Sequence, residues 1–188
     1  MQVKKEDIRA NILSVSENLF IRNGYEDTSL KMIAGKCNIS KSNIYRYFSS
    51  KEEIYETIVG PARKEILNRS RFFFSEAIIK MSVEDKCREV PLILAEMFSS
   101  FHSEILIMLR SESGRDRKMI EDLVSNSFID TCPIGKSGSR EIIFKMLMSG
   151  LIDIMTKHPD EKDMLRELRS LICYHYLGLN GLKNLDSM

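Results

Sequence analysis

The stretch from residue 28 to residue 51 restricts the fold of this chain more than any other part of it. It carries five cations and no acidic residue: Lys31, Lys36, Lys41, Arg46 and Lys51. Its apolar residues recur every three or four positions, the spacing of a helix face, first as Leu30, Ile33, Ala34 and Cys37 and then as Ile44 and Phe48. The pattern predicts two short helices, at about 29–37 and 41–47, joined by a tight turn. Two such helices with a cationic surface are typical of a helix-turn-helix that enters a DNA groove.

Polar residues at the ends of these two helices fit the predicted boundaries. Thr28 or Ser29 can cap the first helix and Ser40 the second, because a hydroxyl oxygen accepts a hydrogen bond from an exposed backbone N–H. Asn38 follows the first helix and tolerates the left-handed backbone that a helix end often needs. The turn between the helices is therefore expected at Asn38.

The basic character is local. The net charge of the 188 residues is only +1, whereas residues 1–55 hold nine lysines and arginines against seven acidic residues. A local cationic surface of this kind is suited to phosphates. No apolar run is long enough to cross a membrane, and the N-terminus lacks the apolar core of a signal peptide. We therefore expect a cytoplasmic protein without a membrane partner.

The residue patterns do not favour an enzyme. The chain has no glycine-rich phosphate loop and no supported order of catalytic serine, cysteine, histidine and acidic residues. Its four cysteines are scattered without metal-ligand spacing, at Cys37, Cys87, Cys132 and Cys173. We expect reduced thiols, no metal and no cofactor.

Helices are also predicted on both sides of this stretch. A first helix is expected at about 6–22, ended by Gly24. Ser50 and Glu53 form a capping box, serine followed three residues later by glutamate, which opens helix 4 at about 51–68. Gly60-Pro61 predicts a kink or a break in that helix.

The rest of the chain is helical in pattern, with a loop predicted at 132–139 and two last helices at about 140–156 and 161–179. No alternating pattern predicts a strand. The prediction is an all-α fold. It has an N-terminal three-helix helix-turn-helix DNA-binding domain over 1–50, helix 4 as connector, and a helical bundle for dimerisation and effector binding over 51–188.

The penultimate helix is apolar on nearly every side. Between Ile142 and Met155, ten of fourteen residues are Ile, Phe, Met or Leu. Such a helix must be covered on two sides, either because it is central in the monomer or because a second subunit covers it. We favour a homodimer in which the last two helices meet their copies as a four-helix arrangement. The predicted interface residues are Phe144, Met148, Leu151, Ile152, Met155, Leu168, Leu171, Ile172, His175 and Tyr176.

The middle of the chain is rich in aromatic and thioether side chains. These suit an apolar or aromatic small molecule, although ordinary core packing uses the same residues. The candidate ligand-binding residues are Met97, Phe98, Phe101, His102, Met108 and Phe128.

Residues 8–54 resemble the DNA-binding domain of TetR/AcrR-family transcriptional regulators. The resemblance is carried by ordered motifs: Gly24-Tyr25, Thr28-Ser29-Leu30, Ile33-Ala34, Ile39-Ser40, Ile44-Tyr45-Arg46-Tyr47-Phe48 and Ser50-Lys51-Glu52-Glu53-Ile54. Asn38 stands where the family usually has glycine, and Ser42-Asn43 where Gly-Thr is common. The first change preserves the turn, and the second is expected to alter which bases are read.

The resemblance implies specific DNA contacts. Thr28, Ser29 and Lys51 would contact phosphates, while Lys41, Ser42 and Asn43 would face base edges in the major groove. The full set of implied DNA-binding residues is Thr28, Ser29, Ser40, Lys41, Ser42, Asn43, Tyr45, Arg46, Tyr47 and Lys51.

The resemblance also implies a function. It is that of a homodimeric transcriptional regulator, a repressor by family default, which a small-molecule effector releases from a palindromic double-stranded operator. Helix 4 would transmit the effector signal. An alternative from the same residues is a DNA-binding dimer without any small-molecule effector, acting as an architectural or partner-controlled factor.

Overall fold

The computed structural model describes residues 2–73, 80–111, 114–129, 138–157 and 160–185. All regular secondary structure within these ranges is helical, which confirms the predicted all-α class. The helices are α1 (Gln2–Asn23), α2 (Leu30–Lys36), α3 (Lys41–Ile44), α4 (Lys51–Phe73), α5 (Val83–Ser100), α6 (His102–Arg110), α7 (Arg115–Ile129), α8 (Gly138–Lys157) and α9 (Glu161–Leu185). No single helix in the described ranges combines the length and apolar character needed to cross a membrane.

The chain forms two compact units. The first contains Met1–Glu65 together with Ser103–Arg117, and the second contains Ile66–His102 together with Lys118–Met188. The first unit therefore extends past the predicted domain boundary at residue 50. The physical reason is that the first half of α4 buries Ile54 and Val59 completely. The predicted division of functions between 1–50 and 51–188 stays a prediction.

The end of α1 follows the sequence prediction. Gly24 has a positive φ of 84°, and its N–H donates to the carbonyl of Phe20 at 2.9 Å. A residue with a Cβ is strained in this conformation, which is why glycine ends the helix. Phe20 itself is fully buried and anchors the last turn of α1 in the core of the first unit.

Helix α3 is shorter than the predicted 41–47. Only Lys41–Ile44 is α-helical, and the chain then tightens, with the Tyr47 N–H donating to the Ile44 carbonyl at 2.8 Å. Ile44 and Phe48 are both buried. Burial of two such side chains contributes on the order of 3–6 kcal/mol, so tertiary packing holds a helix that is too short to be stable alone.

Helix α4 continues through Pro61 to Phe73. The helix is therefore not broken at Gly60-Pro61, whereas the predicted alternative, a kink, stays a prediction, and the helix is longer than the predicted 51–68. Val59 and Ala62, on either side of this dipeptide, are fully buried, whereas Pro61 is exposed. Packing of the buried face offsets the hydrogen bond that proline cannot donate.

A charged network lies inside the first unit. Arg63 Nε and Nη2 donate to the two carboxylate oxygens of Asp116 at 2.6 and 2.7 Å, and Arg63 also donates to Glu56 at 2.6 Å. The Tyr55 hydroxyl donates to Asp116 at 2.8 Å. The hydrogen bonds that Arg63 donates to Asp116 and Glu56 raise the pKa of Arg63. Burial, followed by the hydrogen bond to Asp116, raises the pKa of the Tyr55 hydroxyl. The network joins α4 to the start of α7.

Two further contacts attach the end of α6 to α1 and to the link between α1 and α2. The Arg110 guanidinium donates to the carbonyl of Ile21, and the Ser111 hydroxyl donates to Glu26 at 2.7 Å. The segment Ser103–Arg117 is thereby held by polar side chains at its end and by a continuous buried run inside α6. That run is Ile105, Leu106, Ile107, Met108 and Leu109.

In the second unit, α9 packs against α5 and α8. Gly150 of α8 faces Leu171 of α9 so closely that a Cβ at position 150 would lie 3.0 Å from the leucine methyl carbons. A side chain at position 150 would require Leu171 to shift by a few tenths of an ångström. His102 Nε2 lies 2.7 Å from the carbonyl of Met155, and because a carbonyl only accepts, the nitrogen carries the proton.

The predicted dimer-interface residues are mostly core residues of the protomer. Six of the ten are buried within it: Met148, Leu151, Met155, Leu168, Ile172 and His175. The other four, Phe144, Ile152, Leu171 and Tyr176, are half-buried. Packing within the protomer accounts for the six buried side chains, and the predicted interface stays a prediction, because a helix that is apolar on nearly every side does not reveal from its sequence which side its own subunit covers.

Candidate nucleic-acid interface

The α2–turn–α3 segment is held by caps at both helix starts. Ser29 Oγ accepts from the Met32 N–H at 3.2 Å, and Ser40 Oγ accepts from the Asn43 N–H at 3.2 Å. Of the two candidates for the first cap, the structure selects Ser29. Asn38 has a φ of 55°, as the sequence predicted for the turn. These local interactions fix the angle at which α3 leaves α2.

The conformation of Asn38 gives a prediction. Asn38→Gly relieves the left-handed strain and is expected to leave the protein as stable or slightly more stable. Asn38→Val is expected to lower the free energy of unfolding by about 1–2 kcal/mol, because a β-branched residue is poorly tolerated at positive φ. Urea unfolding of the two variants measures the difference. Equal stability of the glycine and valine variants would contradict the left-handed turn.

The outer surface of α3 and the turn after it carries hydrogen-bond donors. Lys41, Ser42 and Arg46 are exposed, and Tyr45 is 50% exposed. Asn43 and Tyr47 are half-buried. Ser40 Oγ and Ser42 Oγ are 2.9 Å apart, and the Lys41 ammonium lies 5.8 Å from the Tyr45 ring centroid. The structure thus brings the central predicted DNA contacts into one short segment.

Thr28 differs from its predicted role. Its side chain is 1% exposed, and its hydroxyl donates to the Gly24 carbonyl at 2.8 Å. A hydroxyl committed to this buried bond does not reach a phosphate, so the predicted contact from the Thr28 side chain is corrected. Thr28 instead fastens the link between α1 and α2. Ser29, which is exposed, keeps its predicted position beside the helix start.

The Lys51 side chain connects the start of α4 to the link between α1 and α2 through hydrogen bonds. Its ammonium lies 2.6 Å from the carbonyl of Tyr25 and 2.8 Å from that of Thr28, with the Glu26 carbonyl at 3.4 Å. It also lies 4.1 Å from the centroid of the Tyr25 ring. Burial lowers the pKa of Lys51. A phosphate contact by this ammonium would replace one of these hydrogen bonds, so the predicted clamp stays a prediction.

The predicted serine cap is present at the start of α4, but the Glu53 carboxylate has a different partner from the one a capping box predicts. Ser50 Oγ accepts from the Glu53 N–H at 3.0 Å. The Glu53 carboxylate, however, accepts from the N–H and the hydroxyl of Ser49, both at 2.6 Å, and these hydrogen bonds lower the pKa of Glu53. The carboxylate thereby ties the end of the α3 turn to α4.

One cation beside α3 was not among the predicted contacts. Arg9 of α1 lies with its guanidinium carbon 4.9 Å above the ring centroid of Phe48. The stacking is a cation–π contact that holds Arg9 against the turn after α3. No pattern within residues 28–51 signals Arg9, because the contact joins positions far apart in the chain.

The candidate ligand-binding residues do not form one exposed lining. Met97 and Phe98 are buried in the second unit, and Met108 is buried in the first. His102 is occupied by the Met155 carbonyl, and Phe101 is half-buried. The side chain of Phe128 lies outside the described residues, as does most of the predicted loop at 132–139. An effector site at these residues stays a prediction.

Comparison with known proteins bears on the same segment. Residues 12–58, from α1 into α4, match the family model of the bacterial regulatory proteins of the tetR family. This match spans the caps, the left-handed turn and the donor surface described above. This stretch of the chain is therefore similar to the tetR family of bacterial regulatory proteins.

Two relatives with known sequences are named as HTH-type transcriptional regulators. The HTH-type transcriptional regulator UidR of Escherichia coli (strain K12) is 32% identical over 71 residues, which cover 38% of this chain and 36% of UidR. The aligned region thus spans about a third of the length of that relative. An uncharacterized HTH-type transcriptional regulator of Bacillus subtilis (strain 168), YhgD, is 25% identical over 154 residues, covering 82% of this chain and 69% of YhgD.

Solved structures support the TetR fold over most of the chain. A TetR-family transcriptional regulator from Bordetella parapertussis 12822 superposes with a TM-score of 0.59 at 18% identity, covering 93% of this chain and 98% of that one. The MbdR regulator from Azoarcus sp. CIB superposes with a TM-score of 0.55 at 23% identity, covering 88% of this chain and 97% of that one.

Proposed function

We propose that this chain is a TetR-family, sequence-specific DNA-binding regulator of transcription that reads the major groove through α3. The observation that carries the proposal is the surface of the α2–α3 segment. Lys41, Ser42 and Arg46 are exposed there, and no acidic residue occurs between residues 28 and 51. An exposed lysine at the start of α3 suits the acceptors of guanine, and Asn43 suits adenine.

DNA binding is tested by retention of labelled DNA from the region upstream of the protein's own gene, with salt varied. The affinity is expected to fall steeply as salt rises, because binding releases the counterions of the contacted phosphates. A competitor of unrelated sequence measures the specific component. Absence of retention of this DNA at low salt by the folded protein would contradict the proposal.

The regulator is proposed to act as a homodimer, through a surface different from the one predicted from the sequence. Four large apolar side chains are exposed on the last two helices: Ile142 (61%) and Met146 (59%) on α8, and Tyr174 (72%) and Leu177 (58%) on α9. Their spacing of three or four residues places each pair on one helix face. A second copy covering this face would supply a second α3, and a palindromic operator presents half-sites about 34–36 Å apart.

Leu177→Glu is expected to weaken the dimer. A carboxylate on the covered face must be desolvated without a partner, so the variant is expected to sediment as a monomer at concentrations where the parent protein is a dimer. Leu92→Glu is the matched control, since Leu92 is an exposed leucine of the second unit on α5. Equal dimer dissociation constants for the two variants would place the interface elsewhere.

We further propose that an apolar or aromatic small molecule releases the dimer from its operator. The support is the family resemblance together with the Met- and Phe-rich middle of the chain. The rival is a dimer controlled without a small molecule. Adding apolar and aromatic compounds to the preformed protein–DNA complex separates the two, because saturable release by one compound favours the effector. Resistance of the complex to every compound favours the rival.

A further inference from the structure

Two cysteine side chains from distant parts of the chain lie together in the second unit. Cys87 belongs to α5 and Cys173 to α9, two helices that pack against each other. The Cys173 Sγ donates to the Cys87 carbonyl at 3.7 Å, and the two thiols are also within hydrogen-bonding reach of each other. Both residues are half-buried and both are free thiols.

Cys173 opens onto a groove on the surface of α9. The groove has a volume of about 500 Å³ and is lined by Lys162, Leu165, Arg166, Arg169, Ser170 and Cys173. Three of these lining residues are cations, of which Arg166 is paired with Asp163 at 3.4 Å and with Glu167 at 3.2 Å. A small reagent in the groove meets the Cys173 sulfur directly, and the cations stabilise negative charge that develops beside it.

The two thiols are unequal. Burial, followed by the hydrogen bond that the Cys87 thiol makes to Cys173, raises the pKa of Cys87 to about 11. Cys87 is therefore a protonated thiol at neutral pH, and the thiolate is the reactive form of cysteine. Cys173, which lines the groove, is the sulfur placed to react first. By contrast, Cys37 is buried in the first unit, where its sulfur lies 3.9 Å from the Asn11 carbonyl.

We propose that Cys87 and Cys173 form an oxidisable pair that hydrogen peroxide converts to a disulfide between α5 and α9. The Cys173 thiolate attacks one peroxide oxygen, the O–O bond breaks, and hydroxide leaves and takes up a proton to form water. The product is a sulfenic acid on Cys173. The Cys87 sulfur then gives up its proton and attacks the Cys173 sulfur, the S–O bond breaks, and a second water leaves. Two thiols are oxidised and one peroxide is reduced to two waters.

The test treats the full chain with hydrogen peroxide and maps disulfides by mass spectrometry under non-reducing conditions. The expected product has lost two hydrogens and contains one cross-linked peptide that joins Cys87 to Cys173. Cys87→Ser is expected to stop at the Cys173 sulfenic acid, which dimedone traps. Cys173→Ser is expected to form neither product, whereas Cys37→Ser and Cys132→Ser keep the disulfide.

Two results would overturn the proposal. One is that both thiols still react with maleimide after peroxide treatment of the folded protein. The other is a cross-link through Cys132 in place of either partner. A second measurement does not depend on the variants: the oxidised wild-type protein is expected to melt several degrees above the reduced protein, because the cross-link restricts the unfolded chain. An unchanged melting temperature in a sample shown to carry the disulfide would contradict the close native approach of the two sulfurs.

Discussion

Replacing Lys41 and Asn43 together by alanine is expected to lower the affinity for operator DNA about a thousand-fold. Each base contact is worth at least about 1 kcal/mol, and a dimer repeats both contacts on its second half-site. Both positions lie on α3, whose fold depends on Ser40, Ile44 and Phe48 and not on these two side chains. The measurement is a titration of labelled operator, with unrelated DNA as reference and unfolding curves as a check of the fold.

A matched variant separates base reading from phosphate attraction. Lys36→Ala removes an exposed cation from the end of α2 and is expected to weaken binding to operator and unrelated DNA alike, with a shallower dependence on salt. The Lys41/Asn43 variant should instead lose mainly the preference for operator. If it kept both its fold and its full operator affinity, α3 would not be the reading element.

Asp116→Ala is expected to lower the free energy of unfolding by about 2–3 kcal/mol, because it removes the buried acceptor of the Tyr55 hydroxyl and one of the two carboxylates paired with Arg63. Asp116 is buried and accepts from both Arg63 and Tyr55. Urea unfolding followed by circular dichroism measures the loss.

Two further variants sharpen this prediction. Asp153→Asn disrupts an exposed pair with Lys157 and is expected to leave the unfolding midpoint unchanged. The double variant Arg63→Met with Asp116→Leu is expected to lose less stability than the two single losses added together, because the two side chains are coupled. A midpoint for Asp116→Ala equal to that of Asp153→Asn would show that the buried network does not stabilise the first unit.

The helix caps and the turn of the α2–turn–α3 segment were predictable from residues 28–51. Ser29 and Ser40 each satisfy a backbone N–H within three residues, and Asn38 adopts its turn conformation by its own backbone preference. Such interactions depend on neighbours in sequence, so the sequence pattern is sufficient to find them. The exposed residues of α3 followed from the same periodicity, because Ile44 and Phe48 identify the buried face.

The contacts that Thr28 and Lys51 make within the fold did not follow from the sequence. Thr28 has the side chain of a phosphate ligand, but Gly24 and the fold of the link bury it. Lys51 has the charge of a phosphate clamp, but the carbonyls of Tyr25 and Thr28 surround its ammonium. The residue type was informative in both cases, and only the packing of α4 against the link decided what each side chain contacts.

The last two helices show the same difference between what the sequence indicates and what the structure decides, here for the dimer. Their apolar content was evident from the sequence, and it correctly indicated that α8 and α9 have more than one apolar side. In the structure, Met155 and Leu168 are buried within the protomer, whereas Ile142 and Leu177 are exposed.

The sequence by itself determined the helices, the caps, the left-handed turn and the local charge of the α2–turn–α3 segment. Each of these features depends on residues a few positions apart. The tertiary structure alone decided which hydroxyl and which ammonium are occupied, how Asp116 joins Arg63, and which apolar side of α8 and α9 faces outward. Apart from the Thr28 hydroxyl, whose partner Gly24 is four positions away, these outcomes depend on contacts between residues separated by tens of positions, and such contacts leave no periodic trace in the chain.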